Sequence, residues 1–277
     1  MKLRRDFPVV DGVHRCLADE RAAYFEQFLA EYTMVRHAEG RAIDDPEYYR
    51  RLPEPTPGTP TEWQWKIRRR TWATFLTKVL RAAPPSLVVV DVGAGTGWLS
   101  NRVAELGHEA HAVDLTVDAH DGLGAAGFFE RTFDLYQAEM DDLPFADGTA
   151  DLVVYNAALH YSTDYGRTLA EGLRVLRPGG RLVVLDSPVY RHQWAGDAMV
   201  AERHAQFEHQ YGTRSESVPS IEFLTDGMLR DLGEQLGLRW RRHHTWYGRQ
   251  WAMRPVKAKL KGKRPPSRFI VLVASRR

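Results

Sequence analysis

The run Val88-Val89-Val90-Asp91-Val92-Gly93-Ala94-Gly95-Thr96-Gly97-Trp98-Leu99 decides how this chain of 277 residues is to be read. Four valines around one acid suit a strand buried on both faces, and three glycines at alternate positions make a tight turn. Leu99, Val103 and Leu106 then keep helical spacing until Gly107 closes the helix. A strand, a glycine turn and a helix N-terminus together form a ligand site. The backbone can approach a bound molecule closely, and the unpaired N–H groups of a first helical turn favour negative charge. A nucleotide-like molecule or a carboxylate suits such a turn.

Outward from this run, strands alternate with helices. The pattern predicts strands at Leu87 to Val92, Ala110 to Asp114, Phe133 to Ala138, Asp151 to Asn156, Arg181 to Asp186, Trp240 to Trp246 and Phe269 to Ala274. A further helix is predicted from Arg167 to Leu176, stopped by Pro178-Gly179-Gly180. Alternation of this kind implies an α/β fold with a parallel sheet, helices on both faces and ligands beyond the C-terminal strand ends.

Residues 1–85 lack strand-like alternation and read as a helical cap. Tyr24, Phe25, Phe28, Leu29 and Tyr32 recur at helical steps, and Trp63, Trp65, Ile67, Trp72, Phe75, Leu76, Val79 and Leu80 mark a second helix from about Thr61 to Ala83. Between them Pro53, Pro55, Pro57 and Pro60 predict an extended loop. Residues 86–277 form the main domain, with insertions at about 187–222, where a helix is predicted from Ala195 to Tyr211, and at about 247–268, read as a long basic loop. Both insertions follow strands near the ligand face, where they can cover a substrate.

Composition narrows the function classes. A hydrophobic share of 43% with 11% aromatic residues is that of a globular protein. The single cysteine, Cys16, excludes an internal disulfide and cysteine-based metal clusters. No apolar run of about 18 residues suggests a membrane span, and no secretory signal is evident at the N-terminus, so a cytoplasmic location is expected. The net charge of +2 hides an asymmetry: 13 of the 38 Lys and Arg lie from residue 239 onward, where there is no Asp or Glu. The C-terminal region is thus cationic on an otherwise acidic chain.

A dinucleotide fingerprint needs G-x-G-x-x-G, and Trp98 occupies the place of its third glycine. The turn instead resembles the first motif of class I S-adenosylmethionine-dependent methyltransferases, acid-x-G-x-G-x-G. Asp114 ends the second strand 23 residues after Asp91, where a carboxylate can accept both ribose hydroxyls. Gln137-Ala138-Glu139-Met140-Asp141-Asp142-Leu143-Pro144-Phe145 resembles the family segment after the third strand, whose acid meets the adenine amino group. Glu139 stands at that acid's position in place of the usual Asp, which leaves Asp141 and the backbone of Met140 as rivals for the contact. Asp151 to Tyr161 resembles the fourth strand and its catalytic-face turn, and Arg174 to Leu182 the turn before the fifth strand. The likeness covers about Leu87 to Asp186 and is nearest to small-molecule enzymes that include those of quinone biosynthesis.

The resemblance implies a Rossmann-like, doubly wound, seven-stranded, mostly parallel sheet with an antiparallel last strand. It implies S-adenosylmethionine as cofactor, with Asp91, Gly93, Ala94, Gly95, Gly97, Asp114, Leu115, Glu139, Met140, Asp141 and Asn156 around it. The reaction implied is in-line displacement of the methyl group onto a small-molecule acceptor. Such a transfer needs alignment, exclusion of water and, where the nucleophile carries a proton, a base. His160, after the fourth strand, is the candidate base or a residue that orients its loop, and Tyr161 can hydrogen-bond an acceptor oxygen. Trp65, Arg68, Asp186 and Tyr190 are candidate acceptor-binding residues. Residues 65, 68 and 72 share a helical face, so the tryptophans either pack the helix on the sheet or let Arg68 meet an anion. No ligand spacing recommends a metal.

A non-catalytic adenosylmethionine-binding protein is the alternative of another class. The basic region from Trp246 to Arg264 suits either a solvated loop or contact with an anionic membrane or lipid-linked substrate. Asn156-Ala157-Ala158-Leu159 lacks the Asn-Pro-Pro-aromatic turn of base-modifying relatives, which argues against nucleic acid. The oligomeric state is not readable from the sequence.

Overall fold

In a computed structural model that describes residues 1–130 and 133–277, the expected strands assemble into one twisted sheet. In chain order the strands are β1 (Val9–Val10), β2 (Val13–Arg15), β3 (Val88–Val92), β4 (Glu109–Asp114), β5 (Asp134–Gln137), β6 (Ala150–Asn156), β7 (Leu176–Leu185), β8 (Val189–Tyr190), β9 (Leu224–Thr225), β10 (Leu238–His244) and β11 (Ile270–Arg276). The sheet runs β1-β2-β5-β4-β3-β6-β7-β11-β10. Strands β3 to β7 pair in parallel, and β11 lies antiparallel to both β7 and β10.

The seven expected strands are thus present, and two more lengthen the sheet. Residues 9–15, assigned above to a strand-free cap, form a hairpin whose β2 pairs in parallel with β5. Its turn is Asp11-Gly12, both at positive φ, the geometry that lets two right-twisted strands meet through two residues.

The helices are α1 (Asp19–Ala38), α2 (Pro46–Arg51), α3 (Glu62–Phe75), α4 (Trp98–Glu105), α5 (Tyr165–Val175), α6 (Gln193–Tyr211), α7 (Asp226–Gln235), α8 (Arg249–Ala252) and α9 (Arg254–Leu260). Pro46 sits in the first turn of α2, where its missing N–H leaves no bond unmade, and residues 52–61, which hold Pro53, Pro55, Pro57 and Pro60, form the expected non-helical loop. The basic segment expected as a loop holds the two short helices α8 and α9.

Alternation along β3 separates two cores. Val90 and Val92 join Leu169, Leu173 and Leu229 on one face, and Val89 joins Leu99, Val103, Phe75 and Val79 on the other. Helix α3 reaches that second face through aromatic packing. Trp98 meets Trp65 edge to face at 5.8 Å and Trp72 at 6.0 Å, and Trp65 Nε1 donates to the Tyr48 hydroxyl at 2.8 Å. The chain leaves β3 toward β4 and β5, then returns to place β6 on the other side. Strand order therefore reverses between β3 and β6, and the turns after both strands open into the same crevice.

Candidate active site

The glycine turn forms the floor of a pocket in that crevice. Gly93 and Ala94 donate their N–H groups to the Val113 carbonyl at 2.8 and 3.0 Å, tying the turn to the end of β4. Gly93 has φ +70°, and a Cβ there would lie 2.3 Å from Ala158 Cβ, so only glycine fits. Asp114 closes the next side. Its Oδ2 accepts from Gly95 N–H at 2.7 Å and its Oδ1 from Thr116 N–H at 2.9 Å. Asp114 lines the pocket, and each of its oxygens can accept a second hydrogen bond, as a ribose diol requires. Burial pushes the Asp114 carboxyl up to about 6.

Two further polar atoms of the wall have no partner among the described residues. Asn156 Oδ1 and Thr96 Oγ1 are buried and unbonded, and both residues line the pocket. Leu115 and Met140 supply apolar surface beside Asp114. An adenosylmethionine-sized ligand fits this arrangement: a diol acceptor, apolar walls for a base, and unengaged acceptors near the glycine turn for an ammonium group.

Asp91 stands apart from the other expected cofactor residues, because it lies beneath the turn and not in the pocket wall. Alternation puts it on the α4 face, where Ser100 Oγ donates to its Oδ2 at 2.9 Å. Burial pushes its carboxyl up to about 7, with the negative charge of Asp114 adding to the effect. Gly97, at φ +77°, also shapes the turn without lining the pocket, and its α-carbon hydrogen faces the Phe133 ring.

The roof is helix α1. Its aromatic stripe, read above only as an amphipathic face, places Phe28, Leu29, Tyr32 and Arg36 over the pocket. Glu139 and Asp141 line a hollow that shares Phe28, Leu115, Met140 and Tyr161 with the main pocket. Both acids have protein partners: Arg21 of α1 grips Glu139 through two bonds of 2.7 Å, and Arg167 lies 3.0 Å from Asp141. Met140 is therefore the residue of the three that lines the main pocket, and no ion pair competes there.

A second chamber adjoins the first and shares Arg36, Arg41, Arg68, Ala157 and Tyr161 with it. Helix α6 supplies Met199 and Arg203 to this chamber, so the first insertion does cover it. His160 lines it too, with Nδ1 3.4 Å from Ser187 Oγ. Burial, together with the charges of Arg203, Arg36 and Arg68, pushes His160 down to about 3 and keeps its imidazole neutral. Asp186, at the end of β7 with φ +48°, accepts from Thr71 Oγ1 at 2.5 Å through Oδ1, while its buried Oδ2 has no partner. Trp65 lines the first pocket and not the chamber. Tyr190 joins neither. It is buried against Phe223 and Ala195, with its hydroxyl 3.2 Å from Arg264.

Arg21, Arg36, Arg41, Asp121 and Arg203 also surround these cavities, and the sequence alone does not single them out. Their common signal is weak: each is a surface-type residue whose inward position depends on where α1 and α6 dock. His37, Asp118 and His120 also gather at the loop after β4, but Asp118 already accepts from the His120 and Asp121 N–H groups and contacts His37 at 3.2 Å.

A methyltransferase domain profile matches residues 90–184, the stretch that builds the glycine turn, Asp114, Asn156 and β7. These residues form a methyltransferase domain. The chain is 35% identical over 107 residues to dimethylglycine N-methyltransferase of Parasynechococcus marenigrum, covering 37% of this chain and 38% of that one. It is 32% identical over 130 residues to the ubiquinone/menaquinone biosynthesis C-methyltransferase of Vibrio vulnificus, covering 44% and 49%. The matched segments thus span half or less of these curated relatives. The fold is shared with magnesium protoporphyrin IX methyltransferase of Synechocystis, with a TM-score of 0.55 at 14% identity over 92% of this chain and 97% of that one. Helices α1, α3 and α6, which line much of the second chamber, lie outside residues 90–184.

Proposed function

We propose that this chain transfers a methyl group from S-adenosylmethionine to a small-molecule acceptor held in the second chamber. The observation that carries this reading is the shared wall: the pocket built by the glycine turn, Asp114 and Asn156 meets a second, separately lined chamber across Ala157 and Tyr161. The cofactor supplies a methyl carbon activated by a sulfonium. The protein supplies position and exclusion of water, the two contributions that such a transfer uses most. Tyr161 stands at the junction, fixed by a bond of 3.2 Å from Arg36. His160 is neutral and hydrogen-bonds toward Ser187, which suits orientation of the loop or acceptance of a hydrogen bond better than storage of a proton.

Calorimetry against S-adenosylmethionine, S-adenosylhomocysteine and NAD tests the cofactor. Saturable binding of the first two, with no response to NAD, is the expected result, and tight NAD binding with no response to adenosylmethionine overturns the reading. Turnover is tested by transfer of labelled methyl groups to a small-molecule library, and cofactor binding with no transfer to any member would favour the non-catalytic alternative.

A second reading concerns where the acceptor is met. Helix α9 exposes Val256 and Leu260, preceded by exposed Met253, at spacings of three and four residues, among Lys257, Lys259, Lys261 and Lys263. An apolar stripe flanked by cations is the pattern of a helix that lies in an anionic membrane surface. No helix among the described residues is long and apolar enough to cross a membrane. Each lysine near such a surface contributes about 1 kcal/mol. The protein is expected to sediment with vesicles rich in phosphatidylserine at low salt and to be released at about 0.5 M salt, where screening is short-ranged. Sedimentation that stays at background at low salt removes this reading.

A further inference from the structure

The second chamber brings together the Arg68 guanidinium and the buried Asp186 Oδ2, neither of which has a hydrogen-bond or ion-pair partner among the described residues. Resting on the methyl-transfer reading, we infer that the acceptor is a small molecule carrying both a carboxylate and a methyl-accepting O–H or N–H group, with Arg68 holding the carboxylate and Asp186 Oδ2 receiving the donor.

The other charged groups around the chamber each have an ion-pair or hydrogen-bond partner, although Arg203 Nε and Glu222 Oε2 stay unbonded beside their own pair. Arg41 bonds Glu39 at 2.8 Å and Gln64 at 2.6 Å, Arg36 lies 3.3 Å from Asp121, and Arg203 lies 2.7 Å from Glu222, which also meets His204. Arg68 differs. Its guanidinium stacks over the Trp65 ring at 4.8 Å and has no hydrogen-bond acceptor or carboxylate in reach among the described residues. Its neighbours Arg69 and Arg70 turn away, to Glu54 and to the Trp246 carbonyl. A planar cation with its donors free and its face fixed by an aromatic ring is suited to bidentate capture of a carboxylate.

Asp186 is the complementary group. It is 8% exposed, and Oδ2 has no partner among the described residues. Thr71 holds Oδ1, and Thr71 stands three residues after Arg68 on the same face of α3, so the helix that fixes the carboxylate also presents the guanidinium. The two groups do not pair with each other, yet each perturbs the other's titration. A buried carboxylate oxygen without a donor is costly unless a ligand supplies one.

The step balances without a further reagent. A lone pair on the acceptor oxygen or nitrogen forms the bond to the methyl carbon as the carbon–sulfur bond breaks with its electrons passing to sulfur. The proton of the O–H or N–H group passes to Asp186 Oδ2. Arg68 keeps the carboxylate in place throughout.

The test is a competition series on protein saturated with S-adenosylhomocysteine. Hydroxybenzoates, short hydroxy acids and N-methylated amino acids are each compared with their own uncharged amides. At least one acid is expected to bind tenfold or more tightly than its amide, and R68Q is expected to erase that preference while S-adenosylhomocysteine affinity stays within about threefold. A series in which no acid outcompetes its amide overturns the inference. So does an R68Q protein that keeps the preference but loses affinity for S-adenosylhomocysteine, because Arg68 then holds the cofactor's own carboxylate. For acids that are methylated, Asp186→Asn should lower kcat about a hundredfold with little change in acceptor binding; unchanged kcat removes Asp186 from the reaction. Failure of the wild-type protein to bind S-adenosylhomocysteine at all would instead bring down the methyl-transfer reading itself.

Discussion

Asp114→Ala is expected to weaken S-adenosylhomocysteine binding by two to four orders of magnitude. Each ribose hydroxyl donated to a carboxylate contributes about 1.5 to 3 kcal/mol, and alanine removes both bonds at once. It also releases the Gly95 and Thr116 N–H groups that shape the pocket edge. The pH dependence follows in sign. Burial raises the Asp114 carboxyl to about 6, so the diol-accepting charged form is complete at pH 8 and lost as pH falls through 6. Cofactor affinity in the wild-type protein should therefore fall between pH 7 and 5, and Asp114→Asn should flatten that profile. Calorimetry across this range checks both points, and an alanine variant within fivefold of wild type would displace Asp114 from the cofactor site.

Gly93→Ala should be the most destabilising single change in the turn. Two penalties coincide there: a left-handed backbone that disfavours any Cβ, and a Cβ placed 2.3 Å from that of Ala158. Gly107 separates them, because it has φ +85° but a methyl group added there would meet no atom within 4 Å. Gly107→Ala should therefore cost only about 1 kcal/mol, whereas Gly93→Ala should cost about 2 to 5 kcal/mol and abolish cofactor binding. Urea titration of the two variants, with S-adenosylhomocysteine binding measured on each, tests the difference. Equal midpoints would mean that the turn can retreat from Ala158 without penalty.

The stretch from Val88 to Leu99 was legible because its constraints are local. Alternation of valines and the φ values demanded of Gly93 and Gly97 depend on the chain within a few residues of themselves. Asp114 was legible for a related reason: a strand end at a fixed distance from the turn leaves little freedom in where its carboxylate goes. The hairpin at 9–15 has a local signal too, but a faint one. Val9-Val10-Asp11-Gly12-Val13 carries a two-residue turn, and each flanking strand is too short to show alternation. The helices α8 and α9 are obscured differently, by a run of lysines and prolines that reads as a solvated loop.

Asp91 and Tyr190 show where local reading stops. A motif acid is expected to face the ligand, yet its position in the alternation of β3 directs Asp91 into the core beside Ser100. Tyr190 follows a strand on the ligand face, but pairing of β8 with β9 turns it into a separate apolar cluster.

By itself, then, the sequence determined the strand–turn–helix junction, the alternation of strands with helices, and the strand end that carries Asp114. These follow from backbone geometry and short-range periodicity. Only the tertiary structure decided that α1 roofs the pocket, that Glu139 belongs to Arg21, and that Arg68 alone of three successive arginines stays without an acceptor among the described residues. A charge is engaged or free according to which groups from distant segments lie within about 4 Å of it, and no local pattern encodes that distance.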